Sequence, residues 1–225
     1  MLIAAQQPYY LPDFYYFYKI SCCDFFLIAD HLHFRKQSPM VRTQLPDGNY
    51  LTVPVSHQGS SPHPVIKKVG LISDSRWKLN HLRTIRSLYQ KLPYFEHYFP
   101  ELEEIYNRDH KYLSPFLTEV IHWQAVHLGL QDKLNVASQL NITNQVELKW
   151  WLERQEDPSW LIHPEEVDYY RREFPDIPFR ITKLSENMTF PDDYHPRLPM
   201  LLLFFLRGPE ARIYLKKQFK SKFFS

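Results

Sequence analysis

The chain has 225 residues, enough for one domain with a substantial core. It is 44% hydrophobic and 16% aromatic with a formal charge of +2, which excludes a disordered chain and gives no general ground for expecting nucleic acid. Its two cysteines, Cys22 and Cys23, are neighbours and make no disulfide framework, so a reducing cytoplasm is the compartment expected.

The opening MLIAAQQP has no basic n-region, and its apolar run is too short for a signal peptide. Within it residues 2–5 read as a buried strand ending at Gln6-Gln7-Pro8. Pro12 and Asp13 then open a helix to about Ser21, and residues 25–29 form a second apolar strand ended by Asp30. Strands that are apolar throughout predict parallel pairing with both faces covered. Ligands of such units gather at the carboxyl ends of the strands, which here carry Gln6, Gln7 and Asp30. Residues 41–45 and 50–55 flank PDGN and predict a hairpin, and 65–72 predict a further strand beyond the loop at 56–64.

From Asp74 the apolar period becomes helical. Helices are predicted over 74–92 (capped by Ser73 or Asp74), 95–107, 111–128 (stopped by Gly129) and 144–155 (capped by Thr143). A strand over 159–162, a helix opened at 163–166, a strand at 179–182 and helices over 198–207 and 209–218 complete the chain. The run LPMLLLFFL falls short of the roughly 20 residues of a spanning helix and predicts a buried one, so no transmembrane segment is expected. The class predicted is α/β: a small, mostly parallel sheet begun by an N-terminal βαβ unit, with a largely helical middle and C-terminal part. One domain is expected, sheet-rich over 1–72, helical over 73–157, and returning to the sheet over 158–225.

Four groups of residues are candidates for chemistry. Gln7, Tyr10 and Asp30 at the strand ends can orient a polar ligand with Tyr16 as a wall, and the same residues can equally be bonded core. His31 and His33 beside Asp30 lack further ligands, so no metal is expected. Arg35, Lys36 and Arg42 can hold phosphate or carboxylate by side chains, since only five glycines leave no phosphate-cradling loop. Trp77 and His81 share one helix face at i and i+4, and an imidazole titrating near neutral pH suits a general base. The tail from Pro209 sets Arg212, Lys216, Lys217, Lys220 and Lys222 against Glu210, as expected of a helix with cations at its negative end.

Several of these segments together resemble one family. The run IAAQQPYYLPDFYYFYKI…CDFFLIADHLHFRK is similar to the N-terminal pattern of the WbqC-like proteins, roughly H-Q-P-x-Y-L-P-x-x-G-Y-F followed by D-x-F-V-x-L-D-D-V-Q-Y-x-K. YLTVPV, WKLNHLRTIRSLYQKLPYF and HPRLPMLLLFFLRGPEA resemble later family motifs in the same order, so the resemblance covers nearly the whole chain. It implies a bacterial cytoplasmic protein encoded among genes for O-antigen or other surface polysaccharides. The activity implied is transfer of glycine or another small aminoacyl or acyl group to a small-molecule or sugar-nucleotide substrate. No cofactor and no oligomeric state follow from it.

The matched positions include Gln7, Tyr10, Asp30, Lys36, Arg42, Trp77 and His81. On that reading Gln7, Tyr10, Asp30 and Trp77 hold the substrate, Lys36 and Arg42 take its phosphate or carboxylate, and His81 with Asp30 is catalytic. The chain departs from the pattern where Gln6 replaces its leading His, Tyr15 its Gly, and His31 and His33 the Asp and Gln after Asp30. Val41 and Thr43 replace the asparagines around Arg42, and His163-Pro164 a Ser-Gly. Two other readings stand beside this one: a nucleotide-binding adenylyl or nucleotidyl transferase, and a divergent non-catalytic binding protein.

Overall fold

The computed structural model describes residues 1–56, 64–163, 166–181 and 190–218. Strand β1 (Leu2–Gln6) is followed by helix α1 (Phe14–Cys22) and strand β2 (Phe25–Ile28), and β1 and β2 pair in parallel from Ile3↔Phe25 to Gln6↔Ile28. Asp13 caps α1, its side chain accepting from the Tyr16 amide at 3.1 Å. Strands β7 (Leu134–Val136), β8 (Ser159–Ile162) and β9 (Phe179–Ile181) complete a five-stranded, wholly parallel sheet in the order β7-β2-β1-β8-β9.

Alternation along the strands divides the interior in two. Ala4, Phe26, Ile28 and Leu161 face one side, where they pack with Phe14 and Phe17 of α1. The same cluster takes in side chains of α2 (Arg76–Tyr89), α3 (Phe95–Asn107), α4 (Leu113–Leu128) and α7 (Met200–Arg207). Ile3, Leu27, Trp160 and Ile162 face the other side, against Leu148 and Leu152 of α5 (Gln145–Glu153) and Tyr170 of α6 (Val167–Glu173). Cover on both faces is why these strands carry no polar alternation. The apolar run expected to be a buried helix is α7, in which every residue from Met200 to Leu206 is buried.

The hairpin expected around PDGN is present as β3 (Arg42–Gln44) and β4 (Tyr50–Thr52), with Gly48 at φ +83°. Residues 65–72 do not form the strand expected. They make a single 3₁₀ turn, Ile66–Lys68, and a two-residue strand β6 (Gly70–Leu71) that pairs antiparallel with β5 (Val55–Ser56). The Ile66 and Lys67 amides donate instead to the carbonyls of Leu32 and Asp30, which ties the segment to the end of β2. Two caps also differ: Ser75 precedes α2, and Asn144 rather than Thr143 caps α5, its side chain accepting from the Glu147 amide. Strand β7 was not anticipated, because three residues at a sheet edge give no period to read. The predicted loop at 57–63, the helix opening at 164–165, Thr182 and the tail beyond 218 lie outside the described residues, and Lys216 and Lys217 are described only in backbone.

Among the described residues no helix is long and apolar enough to cross a membrane. After α7 the chain turns at Gly208 into α8 (Ala211–Gln218). Gly208 has φ +52°, and a Cβ there would lie 2.5 Å from the ring of Tyr94, the residue preceding α3. Both the dihedral and the contact demand glycine. Gly208→Ala is expected to lower the unfolding free energy by about 1–3 kcal/mol, measured by denaturant titration, with an unchanged helical signal.

Candidate functional site

The chain leaves β1 toward β2 and β7 on one side, then returns to β8 and β9 on the other. The strand order therefore reverses between β1 and β8. In open parallel sheets ligands bind outside the carboxyl ends of the strands at such a reversal. The pairing of β1 with β8 covers only Leu2↔Ser159 and Ile3↔Trp160, so past Ile3 strand β1 is paired on the β2 side alone. A crevice opens there, formed by two recesses of about 260 and 210 Å³ that share Gln6, Tyr9 and Glu166.

The larger recess is polar. Asp13, Lys19, Tyr16, His163 and Arg197 line it with the three shared residues. Lys19 reaches from α1, almost fully buried, to the Ala5 carbonyl at 3.2 Å and the Glu166 carboxylate at 3.2 Å. Glu166 also accepts from the His163 amide at 2.7 Å, which binds the end of β8 to the residue that precedes α6. Residues 196–200 run along 12–14 through Phe14 N to Pro196 O and Met200 N to Pro12 O, and so deliver Arg197 to the crevice. Its guanidinium lies 4.6 Å from the Tyr15 ring centroid. Burial pushes the Asp13 carboxyl up to about 6, although the Tyr16 amide and Arg197 favour its anion. Burial likewise raises Tyr9, partly offset by a hydrogen bond with Gln6.

The smaller recess is aromatic. Trp160, Tyr169, Tyr170 and Phe174 wall it, with Gln7 and His31 at the β1 and β2 ends. A third cavity, of about 610 Å³, lies outside the ends of β2 and β7 and is lined by Asp30, Lys67, Ser114, His122 and Ser138 among others.

The residues expected from the sequence fall into three places. Gln7 lines the aromatic recess, its amide donating to the His33 carbonyl at 3.4 Å. Asp30 lines the third cavity, buried, with its carboxylate accepting from Ser114 Oγ at 3.0 Å, Ser138 Oγ at 2.6 Å and Ser138 N at 3.0 Å. Tyr10, Trp77 and His81 come together inside the protein, with Tyr106 and Phe116, apart from Gln7 and Asp30. The Tyr10 hydroxyl lies 2.8 Å from His81 Nδ1 and also bonds the Tyr106 hydroxyl. Lys36 is exposed, and Arg42 lies over the Tyr50 ring at 3.6 Å on the hairpin. His31 is buried while His33 is exposed, because the chain turns at 30–31 instead of staying extended as the His-x-His reading required. Among the described residues no cluster of three metal-binding side chains exists. Burial drives the Cys23 thiol up to about 12, which removes it as a nucleophile at neutral pH.

Sequence reading missed Lys19, Glu166 and Arg197 in the crevice and read Asp13 only as a helix start. Lys19 carried a signal: it is the one charge in an otherwise apolar and aromatic helix. Glu166 and Arg197 carried none, since topology alone brings them to residue 13.

A parallel sheet covered on both faces, with its strand order reversing at a polar crevice, is a doubly wound α/β protein. Within that class the chain belongs to the WbqC-like protein family, whose model matches residues 7–214. No curated protein and no solved structure matches it.

Two tests follow from this geometry. Burial pulls the His81 imidazole down to about 4, against 6.5 ordinarily, with the Thr52 backbone opposing. The unfolded chain therefore takes up that proton first, and stability present above pH 6.5 is lost as pH falls toward 4, by up to about 3 kcal/mol. His81→Gln should lose measurably less across that window in unfolding titrations at stepped pH. Asp30→Ala leaves one buried and two half-buried donors without their acceptor and should cost about 1–3 kcal/mol in the same measurement.

Proposed function

We propose that the protein transfers a small acyl or aminoacyl group onto a sugar or sugar nucleotide in surface-polysaccharide synthesis, and that the crevice between β1 and β8 is its active site. Family membership supports the transferase class. The observation that carries the site is the Asp13 carboxyl, held at about 6 beside Arg197 and the Lys19–Glu166 pair at the strand reversal. A carboxyl titrating there is ionised at neutral pH and still basic enough to accept a proton.

In this reading the acceptor hydroxyl or amine attacks the acyl carbonyl of an activated donor. The new C–O or C–N bond forms and the bond to the leaving group breaks. The acceptor's proton passes to Asp13 and from there to the leaving group. Arg197 takes the substrate's phosphate or carboxylate, the part assigned by sequence to Lys36 and Arg42. Asp13 replaces His81 as the base, because the His81 Nδ1 already bonds Tyr10 in the interior. The Tyr10–His81–Tyr106 group then acts as a strut behind the loop that carries Tyr9.

Asp13→Asn is a clean variant, because asparagine caps a helix as well as aspartate does. Assayed with aminoacyl thioester or aminoacyl-tRNA donors and nucleotide-sugar acceptors, it should lose at least about 100-fold in kcat with its melting temperature kept. The wild-type kcat/KM should rise with pH through a midpoint of about 6. Full activity in Asp13→Asn together with loss in His81→Gln would return the base to His81. The reversal-point crevice also favours nucleotidyl transfer as a second reading, which release of pyrophosphate from a nucleoside triphosphate would identify.

A further inference from the structure

The geometry points to the aromatic recess as the seat of a uracil- or thymine-type base, carried by a nucleoside diphosphate whose phosphates lie over the neighbouring charged recess. This rests on the crevice being the active site, and it names the substrate class that the crevice takes.

The first ground is an imbalance of hydrogen bonding. Trp160 is 1% exposed and its Nε1–H, a donor only, has no partner. His31 is 5% exposed and neither ring nitrogen has a partner. Buried polar atoms are nearly always bonded, and an unpaired one opposes folding, so two beside one recess call for a partner that arrives from outside. Both side chains line the aromatic recess. A neutral imidazole offers one N–H and one acceptor. Burial favours that neutral form, lowering the His31 pKa.

The second ground is shape and polarity. A dry cavity of about 150 Å³ takes a benzene-sized ring, so about 210 Å³ holds a six-membered heterocycle with exocyclic oxygens. Tyr169, Tyr170 and Phe174 offer ring faces and edges. Two carbonyl oxygens on one ring match donors from Trp160 and His31. Gln7 already uses its amide N–H on the His33 carbonyl, which leaves its Oε1 as acceptor for the ring N–H between those carbonyls. Adenine carries no carbonyl oxygen to meet either donor.

The third ground is continuity. The aromatic and charged recesses share Gln6, Tyr9 and Glu166, so a base in one places its ribose at Tyr9 and its phosphates toward Arg197. That is also where doubly wound folds hold nucleotides, and this chain lacks the glycine-rich loop that would otherwise bind the phosphates.

Calorimetry on the full chain with UDP, uridine and ADP tests this. UDP should bind at least tenfold more tightly than ADP. Trp160→Phe, which keeps a ring but removes the donor, should weaken UDP about fivefold while its melting temperature stays level or rises. Arg197→Ala should weaken UDP and leave uridine unchanged. Equal affinity for UDP and ADP, no detectable UDP binding, or a Trp160→Phe variant with wild-type UDP affinity would overturn the assignment. The outcomes separate from those of the transfer reaction. UDP binding without any acyl transfer upholds the base site and removes the transferase reading. Transfer to a nucleotide-free sugar in which UDP neither binds nor inhibits removes the base site alone.

Discussion

Strand β1 is the element on which everything else turns, because it must pair in parallel on both sides. A parallel neighbour cannot follow through a tight turn, so each connection has to cross over a face of the sheet. The chain makes its first crossover through α1 to β2, goes outward to β7 through the whole helical middle, and then returns to β8. A crossover that leaves β1 for β2 on one side and a later one that arrives at β8 on the other cannot both cover its carboxyl end. The gap is a consequence of topology, and Gln6, Asp13, Lys19, His163, Glu166 and Arg197 line its walls.

Lys19 shows how the fold tolerates charge at that gap. A cation that is 8% exposed would be costly without compensation. Here its ammonium group meets the Ala5 carbonyl, which β8 does not pair, and the Glu166 carboxylate. One side chain thus satisfies a strand end, fixes the residue that precedes α6, and places positive charge in the recess that Asp13 also lines. The same economy operates at β2, where Asp30 holds the starts of α4 and of the turn after β7 through Ser114 and Ser138. Its two oxygens accept three hydrogen bonds within the protein, which explains a strand-end carboxylate without any ligand.

The legible and illegible parts of the sequence divide along physical lines. Apolar runs such as 2–5 and 25–29, and the helical period of 113–128, announce burial directly, and Asp13 and Gly129 announce helix ends. Phe14, Phe17 and Tyr18 of the helix that Asp13 opens are buried. Tyr10 and His81 stood out through the family pattern, but their hydrogen bond to each other in the interior did not, because a pattern records which residues recur and not which way they face. The short strand β7 and the turn at 66–68 were illegible, since long-range pairing sets them and local propensity does not. Arg197 reaches Asp13 only because two backbone hydrogen bonds lay one segment along another 184 positions away, and no local signal encodes that.

The departures from the family pattern become informative once they are placed. Gln6 and His31, which stand where the pattern has His and Asp, line the same aromatic recess. Tyr10, Trp77 and His81, which keep the pattern, are buried and packed against one another. Within that recess Gln7 keeps the pattern while Gln6 and His31 depart from it, so the wall is changed in part on a scaffold whose aromatic interior is kept. Interior aromatics at close-packed density cannot change singly without cavities or strain, whereas a cavity wall can exchange an acid for an imidazole at little cost to the fold. With His31 in place of an acid, the recess replaces an anionic acceptor by a neutral ring that both donates and accepts. A recess so altered suits a neutral, carbonyl-bearing ring better than a cationic or amino-bearing one.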